Sequence, residues 1–198
     1  MTVDVNVLKA DEAFLDDIDE IIEDTMVQIF VLKSENEEEL EEVKEHASNY
    51  SQIFYYAPLS LKEEVDANCL GFLVASVDEL DVEIEKPLFI EDSNLKPQMI
   101  EKLLESSNSG IILNATKPYL ELESFFISIG ALNFDNFESG VIAGIPMSKI
   151  VLQSSYPEFG FEEIFPTVKR ISDEMFRPDQ SIIAQATKNS LQLFGFKK

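Results

Sequence analysis

Apolar and polar positions follow two alternating rhythms along the chain. Short runs rich in β-branched and aromatic residues recur at intervals and read as strands: TVDVNVL (Thr2–Leu8), MVQIFVLK (Met26–Lys33), YSQIFYYAP (Tyr50–Pro58), NCLGFLVAS (Asn68–Ser76), PLFIED (Pro87–Asp92), IILNAT (Ile111–Thr116), FFISIG (Phe125–Gly130) and SKIVLQS (Ser148–Ser154). Between them the period lengthens to that of a helix. In ADEAFLDDIDEIIED, Phe14, Leu15, Ile18, Ile21 and Ile22 share one face and acids take the other. SENEEELEEVKEHA predicts a helix capped by Ser34 or Asn36, with Leu40, Val43 and Ala47 as its thin apolar side.

The remaining connections vary in strength. LSLKEEVD predicts a short helical turn or helix, KPYLELES a short helix, and NFESGVIAGIP a helix ending before Pro146. SNLKPQMIEKLLESSNSG carries Ile100, Leu103 and Leu104 on one side, with Gly110 as its stop. VDELDVEIEK leaves room for a turn and an irregular connection. Two helices close the pattern: FEEIFPTVKRISDEM, begun or kinked by Pro166, and SIIAQATKNSLQLFG, stopped by Gly195.

Eight strand-then-helix units with mostly apolar strands predict a compact, distorted (β/α)8 TIM barrel in a single domain over residues 1–198. An open doubly wound sheet is the alternative. A hydrophobic content of 45% suffices for one buried core. No apolar run is long enough to span a membrane, and the N-terminus lacks the pattern of a secretory signal, so a cytoplasmic location is expected. The lone cysteine, Cys69 in CLGFLVA, reads as a buried structural thiol.

Charge narrows the possible partners. Thirty-eight acids against fifteen bases give a formal net charge of -23. Such a surface repels phosphate backbones and anionic membranes. Lys149, Lys169–Arg170 and Lys197–Lys198 are the only hints of local positive charge. The acidic helices, Asp11 to Asp24 and Glu35 to Glu45, would instead steer a basic protein partner. The single histidine, His46, reads as a surface or helix-end residue. No Walker loop, dinucleotide fingerprint or Gly-x-Ser-x-Gly is present.

Several segments, in order along the chain, resemble those of TatD-type metal-dependent hydrolases. They are MTVDVNVLKA (Met1–Ala10), PLFIEDS (Pro87–Ser93), SGIILNATK (Ser109–Lys117), FFISIGALNF (Phe125–Phe134), IPMSKIVLQSSYPEF (Ile145–Phe159) and ATKNSLQLFGF (Ala186–Phe196). The resemblance implies a distorted amidohydrolase-type barrel. It also implies two divalent metals at the C-terminal mouth and hydrolysis of phosphodiesters, often DNA.

The metal-ligand positions that the resemblance assigns are replaced. The two histidines of the first strand fall on Asn6 and Leu8, after a retained Asp4. The fifth-strand histidine falls on Glu91, and the sixth-strand histidine on Leu113 or Asn114. The eighth-strand aspartate falls on Ser155 and the glutamate before it on Gln153. The bridging glutamate finds no match near Val74 to Ser76. These residues do not form a usual donor set for zinc, magnesium or manganese. The expectation is therefore a catalytically inactive TatD-like protein without cofactor, kept as a protein-binding or regulatory module. The alternative is a divergent hydrolase holding a divalent metal (Mg, Mn or Zn) on Asp4, Glu91 and Asp92. Leu8 and Leu113 at ligand positions predict a drier, narrower barrel mouth.

Overall fold

The computed structural model describes residues 2–25, 27–81, 84–138 and 140–196. Met26, Val82, Glu83 and Ser139, which fall within expected elements, and the expected basic pair Lys197–Lys198 lie outside them. Eight parallel strands close into a barrel in sequential order: β1 (Thr2–Val7), β2 (Val27–Lys33), β3 (Ile53–Pro58), β4 (Cys69–Leu73), β5 (Leu88–Glu91), β6 (Gly110–Leu113), β7 (Phe125–Ile129) and β8 (Ile150–Leu152). Closure is made where Asp4 of β1 pairs with Leu152 of β8. Every strand predicted from the apolar runs is present, most of them trimmed at the ends, and the open doubly wound sheet does not form.

The outer layer is uneven. Its helices are α1 (Glu12–Asp16), α2 (Ile18–Thr25), α3 (Glu37–Asn49), α4 (Pro97–Glu105), α5 (Ala131–Phe134), α6 (Ile164–Met175) and α7 (Asp179–Leu193). The helix expected over Ala10–Asp24 breaks at Asp17, beside the weak helix former Asp16. No helix forms over Lys117–Ser124, where Tyr119 has a left-handed backbone, φ 40°. Only a 3-10 turn, Ile142–Gly144, replaces the helix expected over 136–146, because Gly140 turns left-handed (φ 81°). The chain makes its helical turn earlier, at α5, where the Gly130 amide donates to Asn133 Oδ1 at 2.8 Å. Of the helical turn or helix expected over Leu59–Asp66, the turn forms, as a 3-10 turn at Leu59–Leu61. Pro166 is the third residue of α6, where its missing N–H removes no helical bond. Asn36 is the cap of α3, its Oδ1 accepting from the Glu39 amide. Among the described residues no helix is long and apolar enough to cross a membrane.

Strand alternation sorts the apolar residues into two cores. One lies between barrel and helices and includes Phe14, Phe30, Leu32, Tyr55, Cys69 and Ile90. The other fills the barrel: Val3, Val5, Val31, Tyr56, Leu70, Phe89, Ile111, Leu113 and Val151. Its axis is aromatic. Tyr56 stacks on Phe89 (4.0 Å between centroids), and Phe89 lies parallel to Phe194, just past α7. Gly71 makes room for this column, since a Cβ there would come within 2.6 Å of the Phe89 ring. The C-terminal residues Leu191, Leu193, Phe194 and Phe196 pack against the same cluster. The barrel is thus a packed core and not a channel.

Candidate functional site at the barrel mouth

The strand ends that bear catalytic residues in barrel enzymes converge here on a closed polar network. Lys33, the last residue of β2, donates from Nζ to Glu91 Oε1 at 3.0 Å, at the end of β5, and pairs with Glu35 at 2.6 Å. The other oxygen of Glu91 accepts from Asn114 Nδ2 at 3.0 Å. Asn114 Oδ1 accepts from Gln153 Nε2 at 2.6 Å, and the same amide nitrogen donates to Ser155 Oγ at 2.8 Å. The Ser128 hydroxyl of β7 donates to Gln153 Oε1. An unbroken relay therefore links β2, β5, β7 and the residues that follow β6 and β8.

Local backbone geometry places the members of this relay. Asn114 and Ser155, just past β6 and β8, are both left-handed, with φ 53° and 65°. Asparagine tolerates that region; serine does so less readily. Ser155 is fixed from both sides: its amide donates to Asn6 O at 3.1 Å and its hydroxyl accepts from Gln153. Register shifts in β1 between Thr2 and Val3 and between Asp4 and Val7 re-aim its side chains. Val3 and Val5 enter the barrel and Val7 joins the outer core. Asn6 meets Tyr56, whose hydroxyl donates to Asn6 Oδ1 at 2.7 Å. Asn6 Nδ2 is buried without a hydrogen-bond partner.

Asp4 is fully buried. It accepts from the Ser154 amide (3.0 Å), the Asn6 amide (3.2 Å) and the Ser154 hydroxyl. Burial pushes its carboxyl up from 3.8 to about 6, against these three hydrogen bonds, which pull it down. Lys33 feels burial pulling its ammonium down, but Glu35 and Glu91 together outweigh it and the net direction is up. Burial pushes the Tyr56 phenol far above its ordinary value, and the negative charge of Glu91 adds to this.

The barrel as a whole has counterparts among solved structures. No protein-family model matches the sequence, and no curated protein does. Among solved structures, the chain is similar to YjjV, a TatD homolog from Escherichia coli K12. The TM-score is 0.75 and identity 12%, over 99% of this chain and 98% of that one. A TatD family hydrolase from Entamoeba histolytica aligns with TM-score 0.66 and 9% identity, over 97% of each chain. The chain has the TatD fold. A 2,6-dihydroxybenzoate decarboxylase complexed with 2,6-dihydroxybenzoate aligns more loosely, with TM-score 0.56 and 10% identity over 91% of this chain and 87% of that one.

Within that TatD fold, the structure brings Glu91, Asn114, Gln153 and Ser155 into one network and sets Asp4 and Asn6 beside it. Asp4, Asn6, Leu113, Gln153 and Ser155 are each at most 1% exposed, whereas Glu91 and Asn114 are partly exposed. Leu113 belongs to the barrel core. Two residues take no part in this network. Leu8 lines a lateral cavity between β1, β2 and α3. Asp92 anchors the next loop, accepting from the Thr116 hydroxyl at 3.0 Å and from the Tyr119 hydroxyl. Among the described residues no group of three His, Cys, Asp or Glu side chains is placed to hold a metal ion, so Asp4, Glu91 and Asp92 do not form one.

The side chains at the mouth are a poor fit for a divalent cation. Lys33 already supplies the positive charge facing Glu91, and Asn6 turns its remaining donor, not an acceptor, toward the interior. Lys33 and Tyr56 are the members that sequence reading missed. Lys33 reads as the polar end of a strand. Tyr56 is one of two adjacent tyrosines of which only one faces inward.

Proposed function

We propose that this chain is a catalytically inactive TatD-fold protein, a pseudoenzyme acting in the cytoplasm as a protein-binding or regulatory module. The observation that carries the reading is the Lys33–Glu91–Asn114–Gln153 relay. It pairs the polar groups of Lys33, Glu91, Asn114 and Gln153 with one another, with an ammonium facing the carboxylate that stands at a ligand position of the resemblance. A Glu91 carboxylate already held by an ammonium and an amide is poorly placed to ligate a cation or to take a proton from water. The binding surface in this reading is the acidic wall of α1, α2 and α3. Glu12, Asp16, Asp17, Asp19, Glu20, Glu23 and Asp24 are exposed along α1 and α2, and Glu37, Glu38, Glu41, Glu42 and Glu45 along α3. A basic protein would be drawn to it, and nucleic acid repelled.

Two measurements test this. Purified protein with manganese or zinc is assayed on a generic phosphodiester and on DNA; no turnover above buffer is expected, and metal-dependent turnover would overturn inactivity. A pull-down from native extract should enrich a basic protein, released by salt, above an equally acidic control. Enrichment no better than that control would refute the binding role.

A further inference from the structure

The lateral cavity beside the mouth has a volume of about 390 Å³ and is lined by Leu8, Lys9, Ala10, Lys33, Glu35, Glu39, Glu42, Val43, His46 and Glu158. That volume lies in the range of small-molecule sites. Its chemistry is divided. Leu8, Ala10 and Val43 supply apolar surface, with Ala10 and Val43 largely buried. Four carboxylates line the polar part. Lys33 is already neutralised by Glu35 and Glu91, and the Glu39 carboxylate caps α3, accepting from the Glu35 amide and Asn36 Nδ2. Glu42, beside His46 at 3.6 Å, and the exposed Glu158 are the remaining carboxylates of the lining, and Lys9, whose charge also acts on Asp11, is its other cation.

His46 adds an independent sign. Its Nε2 is a buried atom without a hydrogen-bond partner, and the nearest carboxylate oxygen, on Glu42, stands 3.6 Å away, beyond hydrogen-bonding range. Glu42 and His46 are four residues apart on α3 and face the cavity together. The unpartnered imidazole edge and the Glu42 carboxylate therefore stand side by side at the cavity wall.

We propose that this cavity binds an aliphatic ammonium group. Its charged head lies on Glu42, His46 and Glu158, and its stem covers Leu8, Ala10 and Val43. The head can belong to a free amine or to a lysine side chain; the chemistry of the site is the same.

The test uses the full chain, titrated with n-hexylamine, 1-hexanol and hexanoate, and read by amide NMR shifts and calorimetry. Saturable hexylamine binding that shifts Leu8, Val43 and His46 is expected, with the alcohol and the acid at least ten-fold weaker. Glu42→Gln should weaken the amine roughly ten-fold, as loss of a charge-assisted hydrogen bond does. Glu105→Gln, on α4 outside the cavity lining, should leave it unchanged and so controls for attraction to the overall negative charge. Nα-acetyl-lysine methylamide forms a second arm. Tighter binding than hexylamine assigns the site to a protein side chain, and weaker binding to a free amine. Hexanoate or hexanol binding as well as the amine, unsaturable shifts, or equal losses in the two variants would overturn the proposal. Failure here leaves the inactive reading standing, because that is measured by metal-dependent turnover.

Discussion

Replacing Lys33 by methionine keeps the unbranched stem, shorter by the terminal nitrogen, and removes its charge. Glu91 would then hold a carboxylate at the barrel mouth with Asn114 Nδ2 as its remaining hydrogen-bond donor. Lys33 and Glu91 side chains are 13% and 20% exposed, so the pair is neither a surface bridge nor a fully dry one. At 3.0 Å the Coulomb attraction is about 5 kcal/mol at an effective dielectric near 20. Desolvation offsets much of that gain. Exposed pairs contribute up to about 1 kcal/mol, and stranding one partner of a buried pair costs about 3–5 kcal/mol. A loss of about 2 kcal/mol is therefore expected for Lys33→Met. With a urea slope of about 2 kcal/mol/M, the unfolding midpoint should fall by about 1 M at unchanged slope. Adding Glu91→Gln removes the stranded charge and should recover at least half of the loss; the coupling from the double-mutant cycle isolates the pair. A single-variant loss under about 0.5 kcal/mol, or a double variant whose losses simply add, would refute the view that this ion pair organises the mouth.

Asp4 predicts an unusual pH profile. Because its folded carboxyl is raised to about 6 from 3.8, the native state binds the extra proton between these values, and a destabilisation of about 3 kcal/mol develops as pH rises through that window. Asp4→Asn should therefore be nearly neutral at pH 4 and gain relative to the native chain by pH 7 in urea titrations; a difference independent of pH would contradict this. Gly110→Ala should cost more than about 3 kcal/mol, because the new Cβ would lie 2.0 Å from the Leu88 carbonyl oxygen of the neighbouring strand; thermal unfolding checks it, and a near-native Tm would contradict the close packing of β5 and β6.

Much of the barrel is legible in the chain because its strands are buried on both faces, and continuous apolar runs such as MVQIFVLK and FFISIG announce that directly. The connections are less so. Apolar residues spaced as in NFESGVIAGIP suit a helix, yet the left-handed Gly140 ends it. At the mouth, resemblance pointed to Asn6, Glu91, Gln153, Ser155 and either Leu113 or Asn114; Asn114 joins the network, while Leu113 packs in the barrel core. The resemblance gave no indication of Lys33, which is 58 residues from Glu91 along the chain and meets it only through closure of the barrel. Leu8, expected to leave the mouth drier and narrower, lines a cavity at its edge together with Lys33.

Metal binding at the mouth is the most direct discriminator. The protein, dialysed against manganese or zinc and then against metal-free buffer, is analysed for metal per chain alongside Glu91→Gln. The relay of Lys33, Glu91, Asn114 and Gln153 predicts well under one metal per chain, identical in the two proteins. One or two metals per chain that are lost with Glu91→Gln would contradict it.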